Sequence, residues 1–478
     1  MAEDAQSLKE FYSSVDRATG FIREEAGKGG PITLISHIDA DGLTAASIMS
    51  KTLTRLEVPF RLRVWKQMDN TLVEELSSEE PSLLVFTDLG SGSLGLLKSK
   101  LANWDIVVLD HHEIVDEPSS KIIHVNPHVH GIDGSRDVSG SGVAYLTAKS
   151  VDGGNIDLAP LAVVGALGDL QDKNPKRELG GLNGNIVKDA IDSGCMQAET
   201  DLILYGRETR PIHKALSYTT SPYLPGLSGE EDKCLGFLVN LGIELKAKDR
   251  WRTISDLSVE EKQKIFSEIA KLLSSKNLSS SVALSLIGTV YTLVREDRWT
   301  SLRDAREFSS LLNACGRMSK SGLGVSIGMG SRGKVLDEAQ ELLTNYRRTL
   351  SEYMNWLTTT PRATEELKNI YVIRGTGVID DLMISTMASI LTSSGFFSEN
   401  KPIIALTSAE NGMIKVSGRI PAQIADRGIN MGTILHDASV QFKGIGGGHD
   451  VAAGAQLPQE FEKDFVKTVD QLVGSSAK

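Results

Sequence analysis

The stretch "VVLDHHEI", Val107 to Ile114, puts an acid and two adjacent imidazoles directly after an apolar run. A buried strand that ends in Asp110, His111 and His112 aims groups able to bind metal or move protons at whatever lies beyond the sheet edge. Comparable ends recur: "SHIDADG" offers His37, Asp39 and Asp41, "FTDLGSG" offers Asp88, and "GALGDLQD" brings Asp169 from a later helix. Oxygen and imidazole donors without thiolates suit Mn²⁺ or Mg²⁺ better than a structural zinc. In "HIDAD" the three donors sit at alternate positions, so an extended segment turns them to one side. Acids crowded this way repel unless cations sit among them. Two cations about 3.5–4 Å apart, bridged by one carboxylate, activate a water and stabilise the leaving oxygen of a phosphoester. A single Asp after a strand is usually a turn or a cap. Recurrence at several strand ends in one region is what predicts a two-metal hydrolase of phosphoester bonds.

The elements that must position these residues follow from the apolar pattern. From residue 31 to about 170, short apolar runs ("ITLIS", "FRLRVW", "SLLVFT", "DIVVL", "KIIHV") alternate with helical stretches such as "LTAASIMSKTL", "SGVAYLTAKSV" and "APLAVVGALGDL". Continuous β-rich runs separated by helices predict an α/β fold with a mostly parallel sheet covered on both faces. Its ligand crevice lies beyond the carboxyl ends of the strands. The expected division is a first domain at 1–190 that includes an N-terminal helix, a helical insertion at 191–330, a connector helix at 331–360 and a smaller α/β domain at 361–478. Within the insertion, Ser258 and Glu261 form a capping-box start. The connector "GKVLDEAQELLTNYRRTLSEYMNWL" predicts a helix of about 25 residues, roughly 37 Å long.

Other residues carry weaker signals. Glycine clusters are more often turns than phosphate cradles, but His449 beside Gly446, Gly447 and Gly448, opening toward a helix, could hold a phosphate or a terminal nucleotide. Ser139 and Ser141 in "SGSG" read as a helix cap, a role compatible with an anion site. Arg419 gains interest only from its company with the glycine cluster. "KDRWR" and "REDRW" place arginines beside Trp251 and Trp299, as single-strand stacking sites can, although solvated charge beside core aromatics is the commoner arrangement.

Length and composition bound these readings. The 478 residues are too many for one ordinary core, and 40% hydrophobic with 24% charged residues is the balance of a soluble globular protein. No apolar window is long enough for a membrane span. The start resembles a packed amphipathic helix rather than a signal peptide, which predicts a cytoplasmic protein. Cys195, Cys234 and Cys315 lie far apart, so a disulfide framework or zinc ribbon is excluded as an organising feature. A net charge of −11 argues against coating duplex with a broad basic face, but two bound dications would bring it to about −7.

Taken together, the motifs resemble the DHH phosphoesterase superfamily. "SHIDADG", Asp88 in "FTDLGSG", "DHH" at 110–112 and Asp169 in "GALGDLQD" look like its four metal motifs in order, and "GGGHDVAAG" is similar to the signature of its accompanying DHHA1 domain. The longer strings "NPHVHGIDGSRDVSGSGVAYL", "GRETRPIHKALSYTTSPYLPGLSG" and "FSSLLNACGR" resemble the archaeal RecJ-like nucleases, including the GINS-associated group. The resemblance implies an exonuclease on single-stranded DNA or RNA that uses two Mn²⁺ or Mg²⁺ ions, acting in DNA replication or repair. It implies that His37 and Asp39 hold one ion, that Asp41, His111 and Asp169 hold the other, and that Asp88 bridges them. His112 then faces the scissile phosphate and Asp110 orients an imidazole, while Arg419, His449 and the Gly446–Gly448 loop grip the nucleotide end. Two other functions stay open: a phosphodiesterase for dinucleotides or very short RNAs, and a replication-complex subunit that binds GINS and the replicative helicase. The family is also kin to a eukaryotic helicase cofactor whose DHH domain has lost its catalytic residues.

Overall fold

The structure, a computed structural model, describes residues 2–117, 119–219, 224–276, 280–393, 396–398, 400–421, 424 and 428–476. It divides into two compact units, Met1–Leu343 and Thr344–Lys478. No helix among the described residues is long and apolar enough to cross a membrane.

The first unit is built on five parallel strands: β1 (Ile32–His37), β2 (Phe60–Trp65), β3 (Leu83–Thr87), β4 (Asp105–Leu109) and β5 (Ile122–Val125). Their order is β2-β1-β3-β4-β5. The chain goes from β1 outward to β2 and then returns to the other side of β1, so the order reverses between β1 and β3. That switch point is where a parallel sheet opens a crevice at its carboxyl ends. The apolar runs are continuous because both faces are covered. Ile35, Leu84, Phe86, Ile106 and Val108 point to one face and pack with the helices α3 (Asn70–Ser77) and α4 (Leu94–Lys100). Leu34, Val85 and Val107 alternate to the other face and are also wholly buried. The helices α1 (Ala2–Gly27), α2 (Ala40–Arg55) and α5 (Gly140–Val151) complete the layer on the sheet, α6 (Ala159–Gly168) packs outside them on α2 and α5, and α7 (Gly181–Asp192) packs on α6.

Helix α2 runs through the core, buried on nearly every side. Its hydroxyls are tolerable there because Thr44, Ser47 and Thr52 each bond a carbonyl of the preceding turn. Beneath the switch point, Thr87 Oγ1 donates to Ser36 Oγ at 2.7 Å, and Ser36 Oγ donates to Gly42 O at 2.7 Å. These bonds tie the ends of β1 and β3 to the first turn of α2.

Three sequence expectations need correction. "HIDAD" is not an extended run: β1 stops at His37, Asp39 is the N-cap of α2, accepting from Gly42 N, and Asp41 lies in the first helical turn. Donors that were expected on one side by alternation converge instead because the chain turns from strand to helix between them. The stretch expected to be a helical insertion also contains an antiparallel pair, β6 (Met196–Leu202) with β9 (Ile287–Leu293), and the short β7 (Lys246–Ala247) and β8 (Arg250–Trp251). Ser258 does cap its helix with the reciprocal bond to Glu261, and a 26-residue helix occupies Lys334–Thr359.

The second unit carries a six-stranded mixed sheet, ordered β10-β11-β12-β13-β15-β14. The strands are β10 (Thr364–Glu366), β11 (Tyr371–Arg374), β12 (Ile403–Ser408), β13 (Met413–Arg419), β14 (Ile445–Gly448) and β15 (Ala452–Pro458). The third correction falls here. The glycine cluster does not open toward a helix; it forms β14, paired antiparallel with β15 in a hairpin whose turn holds His449. The helix Met431–Gln441 lies before it, and its first amides are already met by the hairpin: Met431 N donates to Asp450 O and Gly432 N to His449 O.

Candidate metal centre

Because β1, β3 and β4 are adjacent, the three motifs that follow them become neighbours across the switch point. The end of α6 brings Asp169 in as its C-cap. Asp88 adopts φ of +55°, a left-handed conformation rare for residues other than glycine. That strained turn, directly after β3, swings its carboxylate over the strand ends, and such strain clusters at functional sites. Nothing larger than a hydrogen fits at position 140 beside it, since a Cβ there would stand 2.5 Å from Asp88 Oδ1.

The donors fall into overlapping groups. His37, Asp39 and Asp88 form one set, and Asp41, His111 and Asp169 another, with the donor atoms of each set within 4.8 Å of one another. A third set joins Asp88 to Asp110, His111 and His112. His37 Nδ1 lies 2.9 Å from Asp39 Oδ2 and 3.6 Å from Asp88 Oδ2. His111 Nε2 lies 3.2 Å from Asp88 Oδ1 and 3.8 Å from both Asp41 Oδ2 and Asp169 Oδ2. Asp88 thus presents one oxygen toward each side. His112 Nδ1 is 2.8 Å from Asp110 Oδ1, and Asp110 Oδ2 accepts from Ser91 N at 2.8 Å. Asp110 therefore fixes the His112 ring.

Burial opposes charge throughout the cluster, and its pairs counter it. Burial alone would lower the His37 imidazole, but the Asp39 and Asp88 carboxylates hold it up at about 10. Asp41 is raised to about 8 by burial and by Asp88, against the pull of His111. Burial also raises Asp169. For Asp110 burial is outweighed by His112 and His111, which keep its carboxyl well below the usual range. Burial likewise fails to discharge His111 and His112, raised chiefly by Asp88 and Asp110 respectively. The set fits divalent cations on two grounds. Its donors are hard oxygens with imidazoles. The buried Asp88 Oδ1 also receives no aligned hydrogen bond among the described residues, a state costly for a carboxylate without a cation.

The supports of the cluster were the part that sequence reasoning missed or misassigned. Ser139 and Ser141 are wholly buried. Ser139 caps α5, its side chain accepting from Gly142 N. The acceptor at this helix start is the protein's own Asp41: Gly140 N and Ser141 N donate to its two oxygens at 2.7 and 3.1 Å, and Ser141 Oγ joins them. Ser141, with Ser139 Oγ 3.0 Å from its hydroxyl, thus braces a candidate metal donor. Asn126 donates to Ser91 Oγ at 2.8 Å and to His112 O at 2.9 Å, bracing the DHH turn. Gln171 donates to Asp169 Oδ2 at 3.0 Å. Arg317, at the end of the helix Ala305–Arg317, lies close enough to Asp39 to help hold its carboxyl low, after burial and His37 have set the balance. The only sequence hints were proximity to a motif for Ser91 and Gln171; Arg317 had none beyond its family-like string.

In the second unit, β13 pairs with β15 so that Arg419 faces Ala452, and β14 pairs with β15 so that Gly448 faces Ala453. Arg419, Gly446, Gly447, Gly448 and His449 are thus gathered at one sheet margin. The Arg419 guanidinium is already held, by Ser389 Oγ at 2.9 Å and Gly418 O at 2.8 Å. Trp299 is partly engaged within the protein, with Arg250 and Arg298 over its ring at 4.1 and 5.1 Å and its Nε1 donating to Asp256.

Comparison with known proteins agrees with this architecture. The model of the DHH family, N-terminal domain, matches residues 31–166, that of the DHH-CID domain residues 204–287, and that of the DHHA1 domain residues 373–475. The chain is 32% identical to an uncharacterized protein of Methanocaldococcus jannaschii, over 98% of this chain and 100% of that one. It is 26% identical to the single-stranded-DNA-specific exonuclease RecJ of Bacillus subtilis over 176 residues, 35% of this chain and 22% of RecJ. Among solved structures, RecJ of Thermus thermophilus in complex with Mn²⁺ superposes with a TM-score of 0.58 at 18% identity, covering 97% of this chain and 55% of that one. CDC45 of Entamoeba histolytica superposes with a TM-score of 0.64 at 13% identity, covering 97% and 99%. With the matched domains in this order around a complete set of strand-end acids and imidazoles, the chain belongs to the DHH superfamily as a RecJ-like protein.

Proposed function

We propose that this phosphoesterase-family chain is an exonuclease that hydrolyses phosphodiester bonds of single-stranded DNA or RNA with two Mn²⁺ or Mg²⁺ ions. The observation that carries the proposal is the shared carboxylate: Asp88 belongs both to the His37–Asp39 group and to the group that includes His111. His37, Asp39 and Asp88 would hold one ion, and Asp41, His111 and Asp169, with Asp88, the other. When bound, such ions activate a water and neutralise charge developing on the phosphate oxygens. The chain's own part is orientation and proton control. Asp110 holds His112 through Nδ1, so Nε2, on the other side of the ring, meets the substrate phosphate. The half-exposed position of His112 beside the buried His111 suits a group that touches substrate rather than one that is enclosed. Gripping of the strand end by Arg419, His449 and the Gly446–Gly448 strand is proposed on their shared sheet margin, with mononucleotides or very short products as the consequence. The 1–190, 191–330, 331–360 and 361–478 division is kept as a proposal for separate roles, with partner binding in the second segment.

The likeness to CDC45 over nearly both full chains favours a second role, as a subunit that binds GINS and the replicative helicase. The complete acid and imidazole set speaks against a purely structural protein. The test is to incubate the purified chain with Mn²⁺ and single strands of DNA and RNA, each labelled at one end, and to follow product lengths. Stepwise shortening supports the proposal; no cleavage of either strand at any Mn²⁺ concentration overturns it.

A further inference from the structure

Gln171 lies two residues beyond Asp169 and is nearly enclosed, with 4% of its surface exposed. Leu170 between them takes φ of +58° and is half-exposed, so the chain reverses there and returns Gln171 to the cluster. The amide Nε2 of Gln171 donates to Asp169 Oδ2 at 3.0 Å and to the backbone carbonyl of Gly134 at 2.9 Å. The same carbonyl lies 2.6 Å from His111 Nδ1. A carbonyl only accepts, so Nδ1 of His111 carries a proton, which leaves Nε2, 3.2–3.8 Å from Asp88, Asp41 and Asp169, as the nitrogen that would meet a cation once it gives up its own proton. The 3.5 Å between Gln171 Nε2 and His111 Nδ1 follows from two donors sharing one acceptor.

The orientation of the Gln171 amide is itself fixed. Asn183 Nδ2, delivered by the first turn of α7, donates to Gln171 Oε1 at 2.6 Å. A flipped amide would set its oxygen against Gly134 O and the Asp169 carboxylate and its nitrogen against the Asn183 donor. Every contact would then be repulsive. Position 134 also tolerates no side chain, because a Cβ there would stand 2.1 Å from His111 O. Gly134, Gln171 and Asn183 come from separate segments and are not donors to the cation group, yet they meet at its two most different members, an imidazole and a carboxylate.

We infer that Gln171, locked by Asn183, is a positioning residue that holds His111 and Asp169 as a matched pair of donors for one divalent cation. The inference rests on the two-ion reading of the cluster. The amide serves the two donors at once, so its loss releases Asp169 and removes a brace from the carbonyl that sets the His111 tautomer. The His37–Asp39 group is untouched by this network, so the two ions should respond differently. Hydrogen-bonding partners of metal ligands typically change affinity by about 10- to 100-fold.

The test measures Mn²⁺ binding to the full chain in the absence of nucleic acid, read from the free-ion paramagnetic resonance signal, for wild type, Gln171→Leu and Asn183→Ala. The expected result is two ions on the wild type and, in each variant, one ion near wild-type affinity and one weakened about 10-fold or more. Metal-free melting curves establish that a variant is folded; if Gln171→Leu is not, Asn183→Ala decides, because it removes the lock while leaving Gln171 in place. On nucleic acid, excess Mn²⁺ should restore the Gln171→Leu rate, which a merely structural lesion would not allow. Two ions at wild-type affinity in the folded variants overturn the inference alone. A wild type that binds no Mn²⁺ overturns the two-ion reading and this inference with it.

Discussion

Asp88→Asn separates the role of a shared metal ligand from that of a structural acid. Asparagine matches aspartate in shape and accepts φ of +55°, so it avoids the cost of roughly 1–2 kcal/mol that alanine would meet in this left-handed turn. In the metal-free protein the electrostatic change is a difference of opposing terms. Attraction to His37 at 3.6 Å and to His111 at 3.2 Å is lost, while the two repulsions that help to raise Asp41 and Asp169 are relieved. Each term is on the order of 4 kcal/mol at an effective dielectric near 20. Opposed, they leave about 1 kcal/mol of either sign, a melting shift of roughly 1–2 °C for a unit of this size. With ions bound the loss is one-sided, because both donor groups are weakened together. A deficit of about 4 kcal/mol in transition-state stabilisation corresponds to roughly a thousandfold in rate. The assay is cleavage of an end-labelled single strand across a Mn²⁺ titration, beside metal-free melting curves. A folded Asp88→Asn protein that keeps more than about a tenth of the wild-type rate refutes the bridging role.

Further outcomes follow from the same geometry. His111→Ala should weaken Mn²⁺ binding and be partly rescued by excess metal, whereas His112→Ala should keep its metal and lose rate; equal rescue of both would mean that the pair is wrongly assigned. Gly140→Ala puts a Cβ 2.5 Å from Asp88 Oδ1 and should lower kcat about tenfold or more for a stability cost of roughly 1–3 kcal/mol. Wild-type kcat in that variant would show that the Asp88 position is not critical. His449→Ala should raise KM on long single strands several-fold with little change in kcat, and the wild type should spare a circular strand; ready cutting of the circle would rule out end-gripping. Burial and the neighbouring Asp304 push the Glu307 carboxyl up to about 7, above its ordinary 4.5. The stability linked to that proton is present below pH 4.5 and lost as pH rises through 7, a few kcal/mol in all. Glu307→Gln should flatten that part of the stability profile, measured by denaturant melts from pH 5 to 8, and an unchanged slope would count against it.

The sequence alone carried the sheet and its chemistry because a parallel sheet covered on both faces writes its strands as unbroken apolar runs, and the donors stand directly after them. "ITLIS", "SLLVFT" and "DIVVL" announced both the strands and the edge at which His37, Asp88 and His111 emerge. Capping chemistry was equally local, so Ser258 and Ser139 could be read in place. The tertiary structure decided what depends on distant partners. Strand order made the motifs neighbours, and no local pattern records which strand pairs with which. Asp39 and Asp41 were expected to line up by alternation, yet the strand-to-helix turn, pinned by Ser36 and Thr87, brings them in by another route. β6 and β9 pair across a long intervening segment, and β14 is a strand despite its glycines because β15 supplies its ladder. Ser141 reaches Asp41 and Gln171 reaches Gly134 through contacts far apart in the chain. A ligand's own type and position can be legible in sequence; the groups that aim it are fixed only when folding brings remote donors and acceptors within bonding distance.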